Sequence, residues 1–361
     1  MKRNCTFRRT LSALVLLMVS TLTWAYDFEV DGICYNTIDE ESVEVTYRSI
    51  YDNTNSYKGD IVIPSTVAYD DKTYNVTSIE SSAFFSCSSL TSIVIPSSVT
   101  SIGDAAFQKC SSLTSIDIPN RVMNIGYAAF SDCSSLTSMT VSEENPFYDS
   151  REGCNAIIET ASNTLIYGCM STIIPESVTR IGDCAFYYCP SLTSVVIGES
   201  VTSIGNDAFS HCSSLTSVVI GDGVTSIGEY AFYKCSSLTS VDIPSSVTHI
   251  RNYAFSGCPS LTTVICRAKE VAKLGSSVFY NVPRDEATLY VPASALEAYK
   301  AADQWKDFGT ILPIDDDATG ISEAPLYKGT NTPYYTLDGK PAANPTRKGI
   351  YVKDGRKVMI K

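Results

Sequence analysis

What the chain lacks narrows it first. Only 18% of its 361 residues are charged, and the balance is acidic, with a formal net charge of −12. Lys and Arg form no run beyond the first nine residues. No basic patch therefore offers the contacts that hold a phosphate backbone or anionic lipid, and nucleic acid is set aside as a partner. Histidine is scarce: His211 and His249 are the only two. There is no Cys/His spacing for zinc, no glycine-rich phosphate loop and no acidic nonapeptide of the calcium-binding β-helix type. No cofactor is implied. Beyond residue 25 no apolar run is long enough to cross a bilayer.

The one long apolar run lies at the start. Lys2, Arg3, Arg8 and Arg9 precede Leu11–Leu22, and Thr23-Trp24-Ala25 places small residues at the −3 and −1 positions. This is the pattern of a secretory signal peptide cleaved after Ala25, and it predicts an exported chain without a transmembrane segment.

What the chain has is repetition. Phe84, Phe107 and Phe130 are 23 residues apart, as are Phe186, Phe209, Phe232 and Phe255, and Phe279 follows after 24. A fixed period of this size marks a solenoid, here of about eight coils with one interruption between Phe130 and Phe186. Each unit approximates C-S-S-L-T-S-I-x-I-P-x-S-V-T-S-I-G-x-x-A-F. In the first strand Leu113, Ile116 and Ile118 face inward and Asp117 outward. A Pro or Gly breaks that strand, a short V-T-S-I strand follows, and the Ala-Phe pair plugs the core. The repeated glycines Gly103, Gly126, Gly182, Gly205 and Gly228 suit a turn with positive φ. No unit buries its apolar residues alone; stacked units do, through parallel β ladders. The fold class expected is a β-rich solenoid, a right-handed array.

Thirteen cysteines in an exported chain suggest disulfides. Yet Cys87, Cys110, Cys133, Cys189, Cys212, Cys235 and Cys258 share one repeat position. An odd column of equivalent small residues reads as packed thiols. The rung spacing of about 4.8 Å also fits a bond between adjacent rungs.

An open stack needs caps. Residues 26–60 read as a β-rich N-terminal cap, 61–280 as the solenoid, and 281–312 as a C-terminal cap with a helix near 294–304. Residues 313–330 read as a linker and 331–361 as a small β-hairpin tail. The interruption, about 141–172, reads as a hairpin. With a two-residue loop at Ala161-Ser162, Cys154 sits opposite Cys169, the pair best placed for a disulfide.

The units SSLTSIDIPNRVMNIGYAAF and SSLTSVVIGDGVTSIGEYAF resemble BspA-type leucine-rich repeats, and ENPFYDSREGCNAIIETASNTLIYGC resembles that family's inserted hairpin. The resemblance covers about residues 26–312. Glu80 and Arg251 depart from it by replacing the repeat glycine, and Met123-Asn124 by replacing T-S. The last stretch, YYTLDGKPAANPTRKGIYVKDGRKVMIK, resembles the C-terminal β-tails of exported Bacteroidetes proteins. The family resemblance implies a secreted or cell-surface, adhesin-like protein that binds host matrix proteins or other cells.

Function is expected where units differ. The outward first-strand column holds Val94, Asp117, Thr140, Val196, Val219, Asp242 and Ile265, a partly apolar face. The loops beside each Ala-Phe carry Tyr127, Tyr187, Tyr188, Tyr230, Tyr233 and Tyr253. Exposed tyrosines supply contact area at modest entropy cost. The blander reading packs some of them over neighbouring coils. Three functions compete. The first is protein binding along an extended face. The second is glycan binding, with tyrosines stacking on sugars and the Thr/Ser ladder bonding to them. The third is catalysis, which would need unlike groups converging at one point. His211 and His249 sit at different repeat positions and are expected to be solvated, so an enzyme is the weakest of the three.

Overall fold

The computed structural model describes residues 26–48 and 57–314, and the strands Tyr334–Thr336, Pro341–Ala342, Gly349–Lys353 and Arg356–Ile360. The expected signal peptide and most of the linker lie outside the described residues.

The chain winds into a parallel β-solenoid of about ten turns. Each turn has three sides, set by the order of residue types in the repeat. The first side is the β-branched strand, as in Ser194–Ile197 and Ser240–Ile243, where alternate residues bury (Val195, Ile197; Val241, Ile243). The second is a two-residue strand, as in Ser226–Ile227. The third is a run of tight turns around the Ala-Phe pair. Successive coils pair in parallel and in register, with Ser194↔Ser217 on the first side and Ile204↔Ile227 on the second. The turn count exceeds the eight motif copies because the ends coil without the motif. Gly59–Val62 pairs with Leu90–Val94, and Thr288–Pro292 pairs with Thr310–Ile314.

The core phenylalanines stand in a row. Ring centroids are 5.1 Å apart for Phe84–Phe107 and 5.5 Å for Phe107–Phe130. Beyond the interruption they are 4.9, 5.1, 5.2 and 5.8 Å apart from Phe186 through Phe279, with planes within 11°. Each ring is covered by its neighbours in sequence-distant coils, so burial here is a property of the stack. Trp305, Tyr299 and Phe308 close the C-terminal end: Trp305 packs 5.3 Å from Phe279, and Phe308 meets the same ring edge-on at 5.2 Å. Tyr57 caps the other end, 4.7 Å from Phe84.

The turns correct one expectation. None of the five repeat glycines has positive φ; left-handed backbone falls instead on the residue before Ala and the residue two after Phe. Tyr230 (φ 55°) and Lys234 (φ 55°) bracket one such turn, Tyr253 (φ 56°) and Gly257 (φ 73°) the next. The glycine column serves close approach. A Cβ on Gly228 would lie 2.4 Å from the Gly205 carbonyl oxygen.

The interruption is a hairpin, Ala156–Glu159 with Thr164–Gly168, whose second strand takes the short-strand place beside Arg180–Ile181. It divides the first-side sheet between Ser138–Val141 and Ser194–Ile197. It also splits the core: Gly168 lies against the Phe186 ring, and Tyr167 meets Phe130 edge-on at 5.4 Å. The loop holds four residues, and a bulge lies between Ile157 and Ile158. Cys154 therefore packs with Ala156 and Ile158 in one core cluster, and Cys169 with Ile157 and Tyr167 in the other. Both are free thiols, and the expected Cys154–Cys169 bond is corrected by that shift in register.

Candidate interaction surface

The first side differs along its length. Val62 (65%) and Val94 (55%) are exposed neighbours in paired strands. Asp117 and Thr140 are exposed and hydrogen-bonded to each other. Past the hairpin the column closes. Val196 is half-buried, while Val219 and Ile265 are buried, which corrects their expected outward exposure. Asp242 is half-buried because Arg267 grips it through Nε at 2.8 Å and Nη2 at 2.7 Å. A fork-like pair of this kind holds its geometry better than an exposed point contact. Exposed apolar residues of this column therefore lie in the N-terminal coils and again at Leu312 in the last strand.

The second side presents the expected hydroxyl column, but its threonine donors are spent. Thr202, Thr225 and Thr248 donate Oγ1 to the carbonyl of the threonine one coil back, at 3.1, 3.0 and 3.3 Å.

The turn side carries the aromatic residues, and it runs unbroken across the interruption: Asp132 N–H donates to the Tyr188 carbonyl at 2.9 Å. Five of the six expected tyrosines, Tyr187, Tyr188, Tyr230, Tyr233 and Tyr253, are brought together here, each half-buried. Tyr187 and Tyr188 meet edge-to-face at 4.8 Å. Tyr188 stacks on His211 at 4.0 Å, and His211 meets Tyr233 at 5.5 Å. Tyr233 meets Tyr230 at 5.3 Å, and Tyr230 stacks on Tyr253 at 4.9 Å and 2°. Lys234 Nζ lies 5.1 Å from the Tyr233 ring centre. Tyr127 stands apart, exposed, with its hydroxyl accepting from the Cys184 thiol at 3.0 Å.

His211 was missed from sequence, where it reads as solvated. It is half-buried within the ladder, and burial together with Lys234 lowers its pKa. Only its repeat position, beside the tyrosine loops, signalled this. His249 is exposed, as expected, and contacts Thr248 at 2.9 Å. Tyr280, 59% exposed and next to Phe279, extends the same side and was also missed.

The cysteine column lies beneath this surface. Cys110, Cys133, Cys212, Cys235 and Cys258 donate to phenylalanine carbonyls at 3.1–3.2 Å. Burial raises the pKa of Cys258 to about 12 and that of Cys133 to about 12. These are neutral packing thiols.

A three-sided parallel coil with this Leu/Ile/Phe register defines a leucine-rich-repeat solenoid. The chain belongs to the family described as the BspA type leucine rich repeat region, matched in six copies over residues 47–154 and 162–284. No curated protein matches. Among solved structures, a leucine rich cell surface protein from Faecalibacterium prausnitzii A2-165 is 20% identical. That match covers 81% of this chain and 98% of the other, with a TM-score of 0.44. A leucine-rich repeat protein from Bacteroides ovatus ATCC 8483 is 25% identical over 80% of this chain and 99% of the other, with a TM-score of 0.32. The leucine rich repeat protein of T. pallidum is 23% identical over 72% and 92%, with a TM-score of 0.32.

Proposed function

We propose that the chain is an exported, surface-associated or extracellular binding protein, adhesin-like in action, that holds extracellular proteins of a host matrix or of other cells along its turn side. The carrying observation is the six-ring ladder from Tyr187 to Tyr253, spread over four coils. Aromatic area spread this way favours many modest contacts over one deep one, so affinity accumulates along the array. The N-terminal charge and hydropathy pattern supports export. The C-terminal strands Gly349–Lys353 and Arg356–Ile360 pair as an antiparallel hairpin, in keeping with a small β-tail.

Glycan capture is the weaker reading. Stacking on sugar needs free ring faces, and Tyr188, His211, Tyr230 and Tyr253 spend faces on one another. The threonine donors that would serve sugar hydroxyls are turned into the coil. Catalysis finds no supporting feature among the described residues, where His211 and His249 lie on different sides of the coil.

The test is capture of extracellular matrix and cell-surface proteins by the array, compared with a variant lacking the two repeats Ser213–Cys258. Binding that falls in proportion to the coils removed, in a folded variant, supports the proposal. Unchanged binding to every captured protein overturns it, and signal on a glycan array alone would favour the second reading.

A further inference from the structure

The cysteine column is not uniform. Five of its rungs donate to a phenylalanine carbonyl one coil back. Two rungs lack that bond among the described residues: Cys87, fully buried at the start of the column, and Cys189, the first rung past the interruption. Cys189 is also the one rung that is not fully buried.

The hairpin is the cause. Between regular coils the phenylalanine N–H donates to the alanine carbonyl of the next coil, as Phe107 does to Ala129 at 2.8 Å. At the interruption Gly168 N–H takes that place, donating to Ala185 at 2.9 Å. The Phe130 and Phe186 coils are held apart there, and a cavity opens between the two cores. Four cysteines line it: Cys133, Cys169, Cys184 and Cys189.

Two of the four are set against each other. Asp132 N–H donates to the Tyr188 carbonyl at 2.9 Å, and Ser191 Oγ to the Ser134 carbonyl at 2.8 Å. These bonds flank Cys133 and Cys189 on both sides. Coils paired in this way stand ~4.8 Å apart, within the Cα separation of roughly 4.4–6.8 Å at which a disulfide closes. Cys184 instead donates to the Tyr127 hydroxyl at 3.0 Å, and Cys169 to the Asn155 carbonyl at 3.4 Å. Cys133 spends a weak S–H donor on the Phe107 carbonyl at 3.1 Å.

From this cavity and its flanking bonds we propose that Cys133 and Cys189 are a redox site, closed to a disulfide by a small-molecule disulfide such as oxidised glutathione. The bond ties the two cores together, because Cys133 belongs to the N-terminal core and Cys189 packs on the C-terminal one. Cys189, the reachable thiol, attacks first. Its thiolate displaces one thiolate from the small disulfide, and the Cys133 thiolate then displaces the second and closes the S–S bond. Two protein thiols are oxidised, one small disulfide is reduced to two thiols, and the two protein protons pass to the released thiolates. Burial and the neighbouring Cys169 raise the pKa of Cys189 to about 12, so the reaction is slow at neutral pH and quickens as pH rises.

The test is incubation of the native protein with oxidised glutathione, followed by acid quenching, alkylation in denaturant and mass spectrometry of linked peptides. Cys133–Cys189 is expected as the dominant linked pair, forming about tenfold faster per pH unit below the thiol pKa. It is expected to raise the denaturant midpoint until dithiothreitol reverses it. Cys133→Ala is expected to stop the reaction at a mixed disulfide on Cys189, and Cys189→Ala to abolish the link. Either variant gives the readout if the other does not fold. Cys169→Ala is expected to leave the pair intact. No link between protein thiols, linkage of Cys189 to Cys169 or Cys212 instead, equal yields along the column, or an unchanged midpoint overturns the proposal.

Discussion

Phe232 sits midway in the second row of core rings, 5.1 Å from Phe209 and 5.2 Å from Phe255, with interplanar angles of 4° and 1° and no exposed surface. Replacing it with alanine removes one ring from a column in which each ring covers two others. Burial and cavity terms for such a change amount to about 3–5 kcal/mol. The two ring contacts lie toward the upper end of that range, since each is worth roughly 0.5–1.5 kcal/mol beyond area. The defect also falls between two halves of a stack whose stability passes from coil to coil. Phe232→Ala should therefore lower the unfolding free energy by about 4 kcal/mol and broaden the transition as the halves uncouple. Trp305 reports the C-terminal half: it is buried against Phe279, and the only other tryptophan, Trp24, lies in the expected signal peptide. Denaturant unfolding followed by Trp305 fluorescence and by far-ultraviolet circular dichroism should give coincident curves for the parent and separated curves for the variant. A loss under about 1 kcal/mol, or coincident curves in both, would refute the coil-to-coil reasoning.

Further outcomes follow from the same geometry. Gly168→Ala drives a Cβ to 2.1 Å from the Phe186 ring and should cost about 1–3 kcal/mol by overpacking, read as a lower denaturant midpoint. Ser86→Gly relaxes a left-handed residue (φ 59°) at the repeat position that Gly257 fills (φ 73°), and should raise stability by up to about 1 kcal/mol. Cys110, Cys133, Cys189, Cys212, Cys235 and Cys258 titrate higher in the fold than in the open chain, because burial, and at Cys110 first the neighbouring Cys87 thiol, disfavours the thiolate. Their contribution is complete below the ordinary thiol pKa of about 8.5 and is lost as pH rises toward about 12, the value for Cys258. Unfolding midpoints should fall between pH 8.5 and higher pH, by less in Cys258→Val, and native protein at pH 8 should resist thiol alkylation.

The stack was legible in the sequence because its cause is periodic. Phenylalanines 23 apart and β-branched strand residues state the same coil repeatedly, and the structure places them in register. What was not legible depends on relations between coils. The glycine column reads as turn glycine, but its role at Gly228 is contact with the coil below, which no single unit contains. Val219 looks outward by alternation and is nonetheless buried, on a side where Arg267 closes over Asp242. Cys154 and Cys169 were paired by counting through a loop, and one bulge sends them to different cores. His211 looked like a variable surface residue until the neighbouring coils put a tyrosine on each side of it.

Removal of one whole period is the most direct measurement of the central claim. Deleting Ser213–Cys235 joins Cys212 to Ser236 and keeps every inward position in phase. That protein should fold, melt cooperatively and keep its β-type circular dichroism per residue, whereas deleting the half-period Ser213–Val224 should abolish the transition. If the whole-period deletion unfolds the chain as completely as the half-period one, interchangeable stacked coils are not what holds this molecule together.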